Sequence, residues 1–253
     1  MNKFLSKLVI SFAAIASLTI FTWPMLMGSH TATEASFAQG VFIGLMPLIL
    51  IVILVEFASG GIDSRQLAIL GVLSALNAVI RMLGAGTGGV ETAFFVIIIA
   101  AYIFGASFGF ILGAISILVS SLLTGGIGPW LPFQMMAAGL VGIGAGLLPK
   151  VKAKFAQITI LILFSAVAAF AYGALMTIWN WPFLAGVGSS LSYLPGGGLL
   201  ENFSRFIKYE IFTGGLVWDL GRAITTIVLI VVTAPALLAT LKRAASRAGF
   251  ETS

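Results

Sequence analysis

Asp219 and Arg222 stand three residues apart inside an apolar run that extends from about 211 to 241, and they are the first sign of chemistry in the chain. A charge at the centre of a membrane helix costs about 2.5–3.5 kcal/mol on insertion scales, so charges retained there are functional candidates by default. The i,i+3 spacing puts both on one helical face, where each offsets the other. Asn77 and Arg81 share a face by i,i+4 spacing, and Glu91 opens the next apolar run, where the helix dipole favours a carboxylate. A helix-end charge and a pocket group both fit Glu91, while a structural pair and a ligand site both fit Asp219 and Arg222. Trp130, Trp179, Trp181 and Trp218 fall near the ends of apolar runs, the usual place of interfacial anchors. Together they can also line one aromatic cavity.

Several chemistries lack their residues. There is no cysteine, which removes disulfides, thiolate nucleophiles and thiolate metal sites. The single histidine, His30, has no partner by spacing for a catalytic dyad, a triad or a zinc site, and reads as a solvated loop residue. The run from Gly84 to Gly89 fits G-x-G-x-x-G, but it follows an apolar helix rather than a strand, so it reads as a loop and not as a dinucleotide fingerprint. No phosphate-binding G-x-x-x-x-G-K-[ST] loop occurs. Catalysis is not expected, no cofactor or metal is called for, and binding or translocation remains.

These groups must be positioned by membrane helices. Charged residues make up 8% of the 253, hydrophobic residues 60%, and the mean hydropathy is +1.14. Soluble domains carry about 25% charged residues, so the chain is an integral membrane protein. Its net charge of +5 follows from the positive-inside rule and does not call for nucleic acid. Apolar runs at about 5–27, 38–57, 66–83, 92–104, 107–123, 132–148, 155–178 and 211–241 predict an all-α, polytopic bundle of about eight transmembrane helices surrounded by lipid. Because the runs are continuous rather than alternating, a β-barrel is excluded. The first run, behind Lys3 and Lys7, reads as a retained span: it exceeds the 7–15 residues of a signal-peptide core, and the weak site Thr33-Glu34-Ala35 lies beyond it.

With the N-terminus inside, Lys3, Lys7, Arg65, Lys150, Lys152, Lys154, Lys242, Arg243 and Arg247 are cytoplasmic, against only Arg81, Arg205 and Lys208 outside. Both termini are therefore expected in the cytoplasm. Residues 1–61 form two helices with almost no glycine pattern, whereas 62–253 hold the small-residue helices and nearly all intramembrane polar groups, as a six-helix core to which the first pair is added. Gly105, Gly109 and Gly113, with Gly142 and Gly146, mark close helix packing. Gly71 with Ala75, and Ser74 with Ala78, form another small face, for a helix of this chain or of a partner. The connection from Trp179 to Glu210 is the longest and reads as an outer lid; it holds Asn180, the Leu194-Pro195-Gly196-Gly197-Gly198 run, Asn202, Arg205 and Lys208. A sequon at Asn202-Phe203-Ser204 is a weak match.

The segment Gly88-Gly89-Val90-Glu91-Thr92-Ala93-Phe94-Phe95, the Gly105/Gly109/Gly113 helix, and above all Gly126-Ile127-Gly128-Pro129-Trp130-Leu131-Pro132-Phe133-Gln134-Met135 resemble the substrate-binding (S) component of energy-coupling factor transporters, the modular ABC-type vitamin importers. The resemblance covers about 62–243. It implies a plasma-membrane subunit that binds a vitamin in an outward-facing pocket closed by the loops at about 84–91, 124–131 and 179–210. It further implies toppling in the membrane on a transmembrane coupling (T) protein driven by two ATPase subunits. The docking face would be Gly71, Ser74, Ala75 and Ala78, where the family usually carries an Ala-x-x-x-Ala pair. The pocket candidates are Asn77, Arg81, Glu91, Trp130, Gln134, Trp179, Asn180, Asn202, Arg205, Trp218, Asp219 and Arg222. Cobalamin-like and other vitamins all remain open as substrates. An autonomous secondary transporter and a non-transport membrane scaffold are the rival readings. The first expects ion coupling through intramembrane carboxylates and usually inverted repeats, and the sequence displays neither a second acidic site in mid-bilayer nor convincing internal symmetry.

Overall fold

The computed structural model describes residues 3–26, 40–41, 43–47, 50–51, 54–55, 64–84, 89–184 and 189–248. His30 and residues 85–88 of the glycine-rich loop lie outside the described residues. Every regular element among those described is helical: α1 (Lys3–Phe21), α2 (Trp23–Leu26), α3 (Ser64–Gly84), α4 (Phe94–Phe104), α5 (Ala106–Thr124), α6 (Leu131–Gly146), α7 (Lys154–Ile178), a 3-10 turn (Trp181–Phe183), α8 (Leu199–Phe212) and α9 (Gly215–Arg247). The described residues between 40 and 55 are helical too, and Met46 and Leu50 are buried in the core.

Among the described residues four helices, α3, α5, α7 and α9, are long and apolar enough to cross a membrane, while α4 and α6 are shorter apolar helices of 11 and 16 residues. The division follows from their sequences. The α4 segment, Phe94 to Phe104, is apolar all round and buried on nearly every side, as expected for a central helix. The long helices surround it and show apolar side chains outward: Val72, Leu76, Val79 and Leu83 on α3, Leu163 and Val167 on α7, and Val228 and Val232 on α9.

Two close approaches hold the bundle. The α5 and α6 backbones meet at Gly109 and Gly142, where a Cβ on Gly142 would overlap the Gly109 carbonyl, and again where Gly113 faces Ala138. In lipid, helix association depends on contact of this kind. Gly105, at φ +95°, ends α4 and begins α5, a reversal that an L side chain would strain. The second close approach joins α7 to α9 at Gly173, whose missing side chain leaves room for the Asp219 carboxylate.

Basic residues mark one end of the bundle. Arg65 Nη1 donates to the Arg247 carbonyl at 3.2 Å, joining the start of α3 to the end of α9. Lys242 Nζ donates to Gln157 Oε1 at 3.1 Å. Lys150 Nζ donates to the Tyr102 carbonyl and sits 4.2 Å from the centre of that ring, and burial of its ammonium there lowers its pKa to about 8. The opposite end carries the long connection after Trp179, for which the sequence predicts an outer lid but no helix. It contains the 3-10 turn and the 14-residue helix α8.

Candidate ligand-binding site

At the end opposite the basic residues, charged and aromatic side chains from five elements gather. Arg81, in the last turn of α3, donates from Nη1 to Ser120 Oγ of α5 at 3.0 Å, and its Nε stands 4.0 Å from Glu91 Oε1. Glu91 also accepts the Ala93 amide at 3.3 Å just ahead of α4, so it serves the helix end and pairs with Arg81 at once. Thr92 Oγ1 donates to the Ile80 carbonyl at 2.6 Å, which ties the start of α4 to the end of α3. Gly89, at φ +79°, lies directly against the Trp218 backbone, where any Cβ would collide with it. This contact seats the loop before α4 on the start of α9.

On α9, Asp219 and Arg222 form the expected i,i+3 pair, with side chains 6% and 12% exposed. Arg222 Nη1 also donates to the Ala169 carbonyl of α7 at 3.2 Å, and its guanidinium lies 5.0 Å from the Tyr172 ring and 6.0 Å from that of Phe94. Phe94 and Tyr172 meet edge to face at 4.8 Å. Arg222 thus lies against both rings of this aromatic pair. Glu210, buried on α8, is hydrogen-bonded to Thr177 and lies within range of Asp219 and Arg222. Burial raises the pKa of its carboxyl group, an effect that Thr177 and Arg222 oppose.

Aromatic rings continue the site along α6, α7 and the 3-10 turn. Phe133 stacks on Trp179 at 3.9 Å and 12°. Trp181, fully buried, donates from Nε1 to the Leu191 carbonyl at 3.0 Å and meets Tyr193 and Phe206 edge to face. Gln134 is half-buried next to Phe133 in sequence, and Asn180 is half-buried between the two tryptophans.

Buried polar groups are normally hydrogen-bonded. Here Arg81 Nε, Arg222 Nε, Trp179 Nε1 and Glu210 Oε1 are buried and make no hydrogen bond among the described residues. Three donors and one acceptor are thus left unspent on four elements. A second unspent group lies deeper. Asn77 is fully buried with both amide atoms unpartnered among the described residues, as are the Ser74 and Ser116 hydroxyls. Since Arg81 bonds Ser120, one turn back along each helix places Asn77 level with Ser116.

Other candidates from the sequence have different surroundings. Asn202 is buried, and its amide bonds the Leu194 N–H, the Leu194 carbonyl and the Gly197 carbonyl, so it clamps the proline–glycine loop and offers no exposed sequon. Arg205 pairs with Glu201 at 3.2 Å and reaches the Ser189 and Ser192 carbonyls, bracing the same loop. Trp130 and Trp218 are each 46% exposed, on the rim. In the small-residue set of α3, Gly71 and Ala75 face outward with open space beside Gly71, while Ser74 and Ala78 are buried.

Tyr172, Thr177 and Glu210, which the sequence did not single out, join this candidate site in the structure. Tyr172 and Trp179 are seven apart, which puts them on one face of α7, and that spacing was the available signal.

The family model of the ECF-type riboflavin transporter, S component, matches residues 61–243. No curated protein and no solved structure matches the chain significantly.

Proposed function

The chain belongs to the S components of ECF-type riboflavin transporters, and on that premise we propose that its ligand is riboflavin, bound among Arg81, Glu91, Tyr172, Trp179, Glu210, Asp219 and Arg222. It is a multi-pass plasma-membrane transporter subunit and not an enzyme. The observation that carries the ligand reading is the set of unspent buried atoms beside aromatic rings. The pyrimidine edge of a flavin presents a carbonyl, an N–H and a second carbonyl. Guanidinium and indole N–H groups answer the carbonyls, and the Glu210 carboxylate answers the N–H. A specific small-molecule site needs this combination of apolar walls and few polar groups. The family is that of riboflavin transporters, which gives the cobalamin-like alternative no support.

In this reading the ligand end faces outside and the basic end faces the cytoplasm, with both termini inside and eight spans in all. Gln134 and Asn180 border the ligand, Asn77 lies below it, and Trp130 and Trp218 anchor the rim. Asn202 and Arg205 hold the lid in shape. Without a phosphate-binding loop of its own, the chain takes its energy from two ATPase subunits through a T protein. The outward pair Gly71 and Ala75 is the docking face, and Ser74 and Ala78 support it from within the bundle.

The test is a riboflavin titration of the purified protein in lipid nanodiscs, read by quenching of flavin fluorescence, with cobalamin and thiamine as comparators. Saturable binding of riboflavin alone is expected. A folded protein that leaves flavin fluorescence unchanged would overturn the reading.

A further inference from the structure

Residues 1–60 precede the matched stretch, yet α1 and α2 join the aromatic side of the site. Trp23 is fully buried and donates from Nε1 to the Trp179 carbonyl at 2.8 Å. This carbonyl belongs to the residue just past α7, where the last turn leaves acceptors without intrahelical donors. Phe21, also fully buried, meets Phe133 edge to face at 5.5 Å, and Phe133 is the ring stacked on Trp179. The short helix α2 also packs against α8. The N-terminal segment therefore touches both partners of the aromatic stack and the helix that covers the site.

Trp179 is the residue on which these contacts converge. Its ring is held by Phe133, its carbonyl by Trp23, and its own indole N–H is buried with no acceptor among the described residues. A buried donor without a partner points to a group supplied from elsewhere. Its direction depends on the two contacts that fix the ring and the backbone.

We propose that Trp23 is a positioning residue for vitamin binding: together with Phe21 it fixes Trp179 and Phe133 so that the Trp179 indole N–H is presented to the ligand, making the N-terminal helices a wall of the site. The inference rests on the ligand reading given above for the identity of the vitamin. It does not rest on that reading for the coupling between Trp23, Trp179 and α8.

The test uses the full chain with Trp23→Phe, which keeps an aromatic ring and removes the donor, and Phe21→Leu, which keeps apolar bulk and removes the edge contact. Phe12→Ala, at a position 68% exposed on α1, is the control. Loss of one hydrogen bond of this kind is expected to weaken riboflavin binding about 3- to 10-fold in Trp23→Phe, chiefly through faster release. The maximal quenching of the bound flavin should change, and amide exchange across 199–212 should rise in the ligand-free protein. Phe12→Ala should match the wild type in all three. Unchanged affinity, quenching and exchange in both variants would overturn the inference, as would a lowered melting temperature as the sole effect. A wild-type chain that binds no riboflavin would overturn the ligand reading instead, and the exchange measurement would then decide the coupling by itself.

Discussion

Replacing Asp219 by Ala tests the charge balance of the site most directly. Its carboxylate and the Arg222 guanidinium are 6% and 12% exposed, so neither is substantially solvated. In Asp219→Ala the guanidinium keeps the Ala169 carbonyl and the Tyr172 ring but loses its counter-charge, and its Nε is already unpartnered. Removing one partner of a buried ion pair costs about 3–5 kcal/mol, whereas exchanging both for apolar groups is often neutral or stabilising. At about 2–4 °C per kcal/mol for a chain of this size, the single variant should melt roughly 6–20 °C lower. Asp219→Ala with Arg222→Met should recover most of that loss, giving a coupling energy of about 3 kcal/mol or more. Gly173 supplies an independent arm. A Cβ at that position would occupy the space of the Asp219 carboxylate, so Gly173→Ala should resemble Asp219→Ala and should be relieved when Asp219 is also Ala. The assay is thermal unfolding of all variants in nanodiscs without ligand. A single-variant loss below about 1 kcal/mol, or a double variant as unstable as the two singles combined, would refute the reasoning.

Other expected outcomes can be measured on the same preparations. Because burial raises the Glu210 carboxyl pKa in the folded state, its proton supports folding at low pH and the stabilisation is lost as pH rises through the folded value; Glu210→Gln should gain stability over wild type toward neutral pH in a melting series, while riboflavin affinity falls. Lys150 should acylate with a half-titration near pH 8, against roughly 10.4 for ordinary lysines, in competitive labelling followed by mass spectrometry; a midpoint at the ordinary value would contradict its burial against Tyr102. Gly142→Leu should separate α5 from α6 and lower stability by about 1–3 kcal/mol or more, an effect visible in the same unfolding assay.

The core helices were legible because their signal is strong. Apolar runs at 66–83, 92–104, 107–123, 132–148 and 155–178 became helices with ends displaced by about two residues, because glycine, proline or charge punctuates each run. Helix α8 was not legible as an element. Its inward residues are Asn202, Phe206 and Glu210, while Leu200, Phe203, Ile207 and Ile211 face outward. That arrangement inverts the usual apolar-in pattern and is physically reasonable where lipid rather than water lies outside.

The proposed site divides along the same line. Arg81, Glu91, Asp219 and Arg222 declared themselves by the cost of charge in a membrane. Tyr172 costs little in an apolar run, so nothing in its type set it apart. Asn202 and Arg205 had the right chemistry, but the connection they brace is local, and their hydrogen bonds to Leu194, Gly197, Ser189 and Ser192 depend on loop geometry that spacing does not encode. For the α3 small face, residue size identified Gly71, Ser74, Ala75 and Ala78 together; only the packed bundle separates the outward pair from the inward one.

The brevity of α4 has a consequence for depth. Tyr102, near its C-terminal end, is fixed at the basic face by its bond to the Pro149 carbonyl and by Lys150. From Tyr102 the eight residue steps back to Phe94, at 1.5 Å each, rise only roughly 12 Å, well short of a 30 Å hydrocarbon layer. Glu91 and Phe94, at the floor of the proposed site, are recessed within the bundle, where Phe94 meets Tyr172 of α7 and lies 6.0 Å from the Arg222 guanidinium of α9. Mobile ions screen charges at such a depth poorly, and the low permittivity strengthens each polar contact made there. The grip on a neutral ligand should consequently be nearly indifferent to the salt concentration of the medium outside.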